Sequence, residues 1–202
     1  MISIIRLILI CLYLSSCSFS DPENYRIAKN IILGGERFKV SRDIFEEQQF
    51  SFAKVSIGRG NDVILSLKSI KNDIYEWISA DGILIYTNMG IIIHTKGLEH
   101  DIYSRQFQNI SLLNSFSLKQ DFLNPELFQF QVDFTLQDKA LIKHSYIETD
   151  LQVVQLKYFK QVRILGWDSG LELLIDDFGR PVMSEQRIHP YIDNIRMDFY
   201  YK

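Results

Sequence analysis

Four histidines, His94, His100, His144 and His189, are the first candidates for acid–base or metal chemistry in this 202-residue chain. None has a second histidine at ligand spacing. His94 stands in the apolar stretch Ile91-Ile92-Ile93-His94-Thr95, and His100 lies six residues on, past Gly97. His144 and His189 stand alone in turn-like contexts. Asp176-Asp177 has the charge for catalysis or calcium binding, but Phe178-Gly179-Arg180-Pro181 follows, and that run is turn chemistry. Glu46-Glu47 falls at the end of a short predicted helix and reads as solvated. Gly58-Arg59-Gly60 lacks the helix that must follow a phosphate-binding loop. The sequence contains no Gly-x-Ser-x-Gly, no His-Glu-x-x-His and no Cys-x-x-Cys. These residues predict no catalytic group, no cofactor and no metal site. A net charge of −3, from 22 basic and 25 acidic residues, argues against nucleic acid as a partner.

Aromatic side chains offer a different chemistry. Tyr75, Trp77, Tyr86 and Trp167 have flat faces suited to stacking on sugar rings, with Asn, Gln and Asp nearby to bond hydroxyls. The same rings also suit the apolar face of a sheet.

The elements that must hold these residues begin after an unusual N-terminus. Arg6 precedes the apolar run Leu7-Ile8-Leu9-Ile10-Cys11-Leu12-Tyr13-Leu14, and Ser15-Ser16-Cys17 follows. A basic start, a short apolar centre and a small-residue end predict a secretory signal peptide over residues 1–16. The run is too short to span a bilayer, which takes about 20 residues. Leu14-Ser15-Ser16-Cys17 resembles the lipobox of bacterial lipoproteins. The resemblance implies cleavage before Cys17 and a lipid on its thiol. Cys11 would leave with the signal, so Cys17 would be the only cysteine of the mature chain, and an internal disulfide is excluded. Ser18, where an Asp would retain such a protein elsewhere, implies the outer membrane, with the domain facing the periplasm. Residues 18–21 form a short tether to one β-rich domain over 17–202.

Within that domain, Asp21-Pro22 predicts the start of a helix that stops at Gly34-Gly35. Ser41 predicts the cap of a second short helix over 42–47. From Phe50 the apolar period becomes two. Residues 52–57, 63–67, 74–80, 83–87 and 91–95 predict short strands joined by tight turns, with Asp81-Gly82 a strong hairpin signal. The weak pattern over 97–125 predicts a long loop with one short helix. Phe128, Phe130, Val132, Phe134 and Leu136 predict a strand with one apolar face. Further strands follow over 154–164, where Lys160 interrupts the pattern, and over 171–176, 181–188 and 194–201. Connections this short permit only antiparallel neighbours. The expected fold is all-β, a large antiparallel meander curled into a barrel or half-barrel, with one or two short N-terminal helices.

Trp77-Ile78-Ser79-Ala80-Asp81-Gly82, Tyr86-Thr87-Asn88-Met89-Gly90 and Thr95-Lys96-Gly97-Leu98 together resemble the central signature of the YjbF/GfcB lipoproteins. That family carries a Trp near a Ser-x-Asp-Gly turn, a Thr-x-Asn-Gly turn and a Thr-x-Gly-Leu exit. Met89 lies between Asn88 and Gly90 here, and Ile91 stands where an Arg is common. The run from Glu172 to Ile188 resembles the family's ending. The resemblance implies a non-enzymatic, outer-membrane-anchored accessory protein in capsule or exopolysaccharide secretion, with polysaccharide or secretion proteins as partners. The alternative is a periplasmic carrier that holds lipid in an apolar hollow of the curled sheet.

Overall fold

The computed structural model describes residues 38–105, 112 and 114–202. Cys17, the predicted signal and tether, and the predicted helix from Asp21-Pro22 lie outside them. Two units divide the chain: residues 1–37 with 59–61, of which only 59–61 are described, and Phe38–Gly58 with Asp62–Lys202. The second unit holds the sheet.

It opens with one helix, α1 (Arg42–Glu47). Ser41 is its N-cap, and its hydroxyl accepts a hydrogen bond from the Ile44 N–H, satisfying one of the donors a helix start leaves free. Twelve strands follow: β1 (Phe52–Ile57), β2 (Val63–Lys71), β3 (Ile74–Ser79), β4 (Leu84–Asn88), β5 (Ile91–Lys96), β6 (Ile102–Arg105), β7 (Phe116–Leu123), β8 (Glu126–Tyr146), β9 (Thr149–Val162), β10 (Trp167–Ile175), β11 (Pro181–Gln186) and β12 (Ile195–Tyr200). Each pairs antiparallel with its neighbours in sequence, and β12 returns to β1, so the meander closes into a barrel. Along that seam Phe52 pairs with Tyr200 and Ile57 with Ile195. Closure removes the exposed edges that an open sheet must protect.

Turn chemistry sets the register. Asn72-Asp73, Met89-Gly90 and Ile147-Glu148 are two-residue turns with both residues at positive φ, the form whose twist matches the flanking strands. Asp81-Gly82 sits instead in a three-residue loop. Gly82 N–H donates to the Ser79 carbonyl at 3.1 Å, and Ser79 N–H donates to the Ile83 carbonyl at 3.0 Å.

Two sequence expectations are corrected. Among its described residues the region 97–125 holds β6 and β7 in place of the expected loop; residues 106–111 and 113 lie outside the described residues. Ser104 and Gln120 face inward there, and Gln120 Nε2 donates to Ser104 Oγ at 3.0 Å, so a polar pair occupies positions where apolar residues signal a strand. Phe128 is 56% exposed rather than inward. Gln129 bulges at φ 58°, and Leu127 takes the inward position, pairing with Phe122.

β8 also runs well past its predicted end. Leu136 pairs with Tyr158 and Asp138 with Lys157, leaving Gln137 as the extra residue of a second bulge. This bulge turns the even-numbered side chains of β8 to the other face of the sheet. The hairpin beyond it has lost β7 as a neighbour and forms an arm. Ile142, Tyr146, Leu151 and Val153 of the arm pack on Leu174, Val182 and Met183, on the outside of β10 and β11. Tyr146 stacks on Tyr200 at 5.5 Å, and Tyr200 stacks on Phe52 at 4.8 Å. The arm therefore covers the outer face of the seam.

Inside the barrel, Trp77, Phe122, Leu156, Tyr158, Leu173 and Phe199 are fully buried in one cluster. Trp77 donates its indole N–H to Thr87 Oγ1 at 2.9 Å, so the largest core side chain keeps its polar atom satisfied.

Candidate functional site

Lys160 is an anomaly in the alternation of β9. Leu156, Tyr158 and Val162 point into the barrel, and Lys160 shares their face at 3% exposure. Its ammonium donates to the Arg187 carbonyl at 3.1 Å and lies 4.9 Å from the Trp167 ring centroid and 5.7 Å from that of Phe134. Among the described residues no carboxylate forms an ion pair with it. Burial without a counter-ion favours the neutral amine and lowers its pKa to about 7.

Ser169 of β10 is the cross-strand partner of Lys160, and Trp167 lies two residues away on the same face. Beyond the end of β11, His189 is 1% exposed. Its ring stacks on His100 at 4.8 Å and tilts against Phe122 at 4.4 Å. His189 Nδ1 accepts a hydrogen bond from the Tyr191 N–H at 3.2 Å. In the neutral imidazole the proton then belongs on Nε2. Burial lowers the His189 pKa to about 4, and the neighbouring His100, Lys160 and Arg187 add to the shift.

Trp167 and His189 meet at a cavity of about 340 Å³, lined also by Phe122, Leu127 and Tyr191 among others; Lys160 and Ser169 are not part of its wall. Tyr191, on the rim, is 68% exposed, so the cavity opens to solvent. Among the described residues, Trp167 Nε1, Ser169 Oγ, His189 Nε2 and, away from this cavity's wall, Gln120 Oε1 are buried and have no hydrogen-bond partner. Buried polar atoms without partners are uncommon and call for an explanation. A second depression, of about 410 Å³, lies between Gln129 and Gln131 of β8 and Arg163 and Ile164. Its polar groups satisfy each other: Asp133 accepts from Ser117 and Gln131 at 2.6 Å and pairs with Arg163 at 3.3 Å.

The four aromatic residues singled out from the sequence do not share a surface. Trp77 is fully buried and presents no face to a ligand. Tyr75 stacks on it at 6.0 Å from inside the barrel. Tyr86 is half-buried on β4; it stacks on His94 at 4.9 Å and donates its hydroxyl to Glu76 at 3.0 Å. Trp167 alone borders the cavity. His94 is held between Tyr86 and Tyr103, and burial lowers its pKa. Asp176 is a turn residue, accepting from the N–H groups of Phe178 at 3.0 Å and Arg180 at 2.8 Å. Among the described residues no three His, Cys, Asp or Glu side chains are placed to hold a metal ion.

The sequence pointed to Trp167; it raised His189 only as an isolated histidine and Lys160 only as a break in the strand pattern, and it did not raise Ser169. The usable signal was a lysine at an inward position of an otherwise alternating strand. Among the described residues Ser169 Oγ has no partner, and the Lys160 amine donates to the Arg187 carbonyl rather than to Ser169.

The fold and this site define a twelve-stranded antiparallel meander barrel with a polar, aromatic-rimmed mouth. No protein-family model matches the sequence, and no curated protein matches it. The hypothetical lipoprotein YmcC of Escherichia coli K12 has a similar solved structure, with a TM-score of 0.66 and 12% identity over 81% of this chain and 89% of that one. At that identity the likeness establishes the fold. A candidate lipoprotein of Parabacteroides distasonis aligns over 77% of this chain and 95% of that one, at 11% identity and a TM-score of 0.37.

Proposed function

We propose that this protein is a membrane-anchored, non-enzymatic accessory lipoprotein that assists secretion of a surface polysaccharide and contacts the glycan at the barrel mouth. The observation that carries the reading is the open cavity lined by Trp167 and Tyr191, with Phe122 at its floor, at the end of an otherwise filled barrel. Aromatic faces beside buried donors suit a sugar ring and its oxygens. The anchor rests on the signal-like N-terminus ending at Cys17, and the YmcC structure of like fold is described as a lipoprotein. The outer membrane, with the domain facing the periplasm, follows from Ser18 after Cys17. The YjbF/GfcB resemblance supplies the pathway. A short tether would confine the domain beside membrane-bound secretion partners and raise their effective concentration. The carrier alternative gains no support from an interior filled by Trp77, Tyr158 and Phe199.

The test is genetic and biochemical. Deleting the gene should reduce exported polysaccharide, and a Cys17→Ala form should restore it poorly while losing incorporation of labelled acyl chains. Equal acyl label in wild type and variant would remove the anchor. Single folded substitutions of His94, Asp176 or Asp177 should leave export nearly intact; loss of export from one of them, with stability and localisation unchanged, would overturn the non-enzymatic reading.

A further inference from the structure

We infer that the cavity at the barrel mouth receives the acetamido group of an N-acetylated sugar residue, with the carbonyl oxygen on the Trp167 and His189 N–H groups and the methyl against the apolar wall. The inference rests on the glycan reading above and deepens it by naming the substituent that this cavity selects.

The wall decides the chemistry. Phe122, Pro125, Leu127, Leu165 and Pro190 supply apolar surface. Trp167, His189 and Tyr191 supply the polar side-chain atoms, and among the described residues no carboxylate, lysine or arginine belongs to this wall. Trp167 Nε1 can only donate. His189 Nδ1 accepts from the Tyr191 N–H, and burial keeps the ring neutral, so Nε2 carries the proton and is a donor as well. Among the described residues both nitrogens are buried without an acceptor. The two rings flank Phe122, Trp167 with its centroid at 6.1 Å and His189 at 4.4 Å. A buried donor without an acceptor is costly, and a ligand that brings the acceptor removes the cost.

Uncharged donors beside apolar carbon fit an amide carbonyl. Its oxygen has two lone pairs to fill and no proton to place, whereas a hydroxyl brings a proton that needs an acceptor of its own. An ion would lose its water here with no opposite charge in the wall to replace it. The methyl of an acetamido group covers apolar surface that a hydroxyl would leave bare.

Size and continuity favour a sugar over a lone amide. A cavity of about 340 Å³ is near the lower end of ligand pockets, about 300–1,000 Å³, and suits one sugar residue. Tyr191 stands exposed at its edge. The neighbouring sugars of a chain have a place as well. Arg163 and Ile164 line the polar depression with Gln129 and Gln131, and the next two residues, Leu165 and Gly166, line the cavity, so one short turn borders both. Phe130, in the wall of the depression, packs on Phe122 with ring centroids 4.9 Å apart.

The test uses the full-length chain in detergent and follows the indole N–H signals by NMR titration. Triacetylchitotriose and cellotriose share one backbone of linked glucose units, and the first carries acetamido groups where the second carries hydroxyls. N-acetylglycinamide supplies the amide without a sugar. The chain has two tryptophans. Trp167→Phe assigns the signal of Trp167, and Trp77, bonded to Thr87, is the internal reference. Triacetylchitotriose should bind about tenfold or more tighter than cellotriose and shift the Trp167 signal while that of Trp77 stays in place. Trp167→Phe and His189→Phe each keep an aromatic ring and remove a donor, so each should weaken the acetylated sugar about tenfold and cellotriose by less. Should a variant fail to fold, the comparison of ligands on the wild type decides alone. Equal affinity for the two trisaccharides would overturn the inference and leave the glycan reading standing. N-acetylglycinamide binding as tightly as triacetylchitotriose would overturn it in favour of a peptide-like ligand. Binding of none of the three would overturn it too, and the export assay would then judge the secretion role separately.

Discussion

Replacing Lys160 by Met removes one buried amine and keeps the length of the side chain. The wild-type amine has a folded pKa of about 7 against about 10.5 in the unfolded chain. Between those values the unfolded state binds more protons, so stability rises with pH. The contribution is fully present above about pH 10.5 and is lost as pH falls through about 7. One pKa unit corresponds to about 1.4 kcal/mol, so from pH 7 to pH 9 the wild type should gain about 2–3 kcal/mol that Lys160→Met does not. His189 titrates near 4 and so lies outside this window. Tyr158, Tyr200 and Tyr201, all pushed up by burial, also titrate outside it. Urea unfolding of both proteins at pH 7, 8 and 9 measures the difference. The variant should be the more stable at pH 7, with the gap narrowing as pH rises. Parallel pH curves would mean a hydrated, charged lysine in the folded state and would refute the burial of Lys160.

Other expected outcomes follow from single contacts. Gly82 and Gly90 both have positive φ, but a Cβ on Gly82 meets nothing, whereas one on Gly90 would lie 2.8 Å from Pro181 Cβ. Gly82→Ala should cost about 1 kcal/mol in urea unfolding, and Gly90→Ala about 1–3 kcal/mol more. Asp176→Ala, which removes two hydrogen bonds to turn N–H groups and the ion pair to Arg180 at 2.9 Å, should lower stability by about 1–3 kcal/mol, with Asp177→Ala near neutral by the same assay. Trp77→Phe should cost about 2–3 kcal/mol, since it opens space in the core and leaves Thr87 Oγ1 without its donor.

The sequence made the local structure legible where one residue type has one use. Ser41 marked its helix start, and Met89-Gly90 closed a hairpin as the alternation around it required. It failed where long-range pairing decides. Ser104 and Gln120 are acceptable inside only because they meet across β6 and β7, so neither strand shows an apolar period by itself. The even-numbered residues of β8 read as one continuous face, although the bulge at Gln137 splits them between the barrel interior and the outer arm. The mouth was hidden for the same reason: Phe122, Trp167 and His189 come from three stretches of chain. Lys160 is ordinary until pairing between β9 and β10 places it beside Ser169.

The arm across the seam bears on how the barrel forms. Pairing between β1 and β12 joins the most distant parts of the described chain, the kind of contact that folds slowly because its loop entropy is lost before the contact forms. The β8–β9 hairpin joins near neighbours through a two-residue turn and can form on the microsecond scale of a local hairpin. Its tip, with Tyr146 and Ile147, is what Phe52 and Tyr200 pack against when the seam shuts. An early-forming piece thus offers the landing surface for the last pairing. Weakening it at Tyr146 should slow barrel closure as well as loosen the closed state.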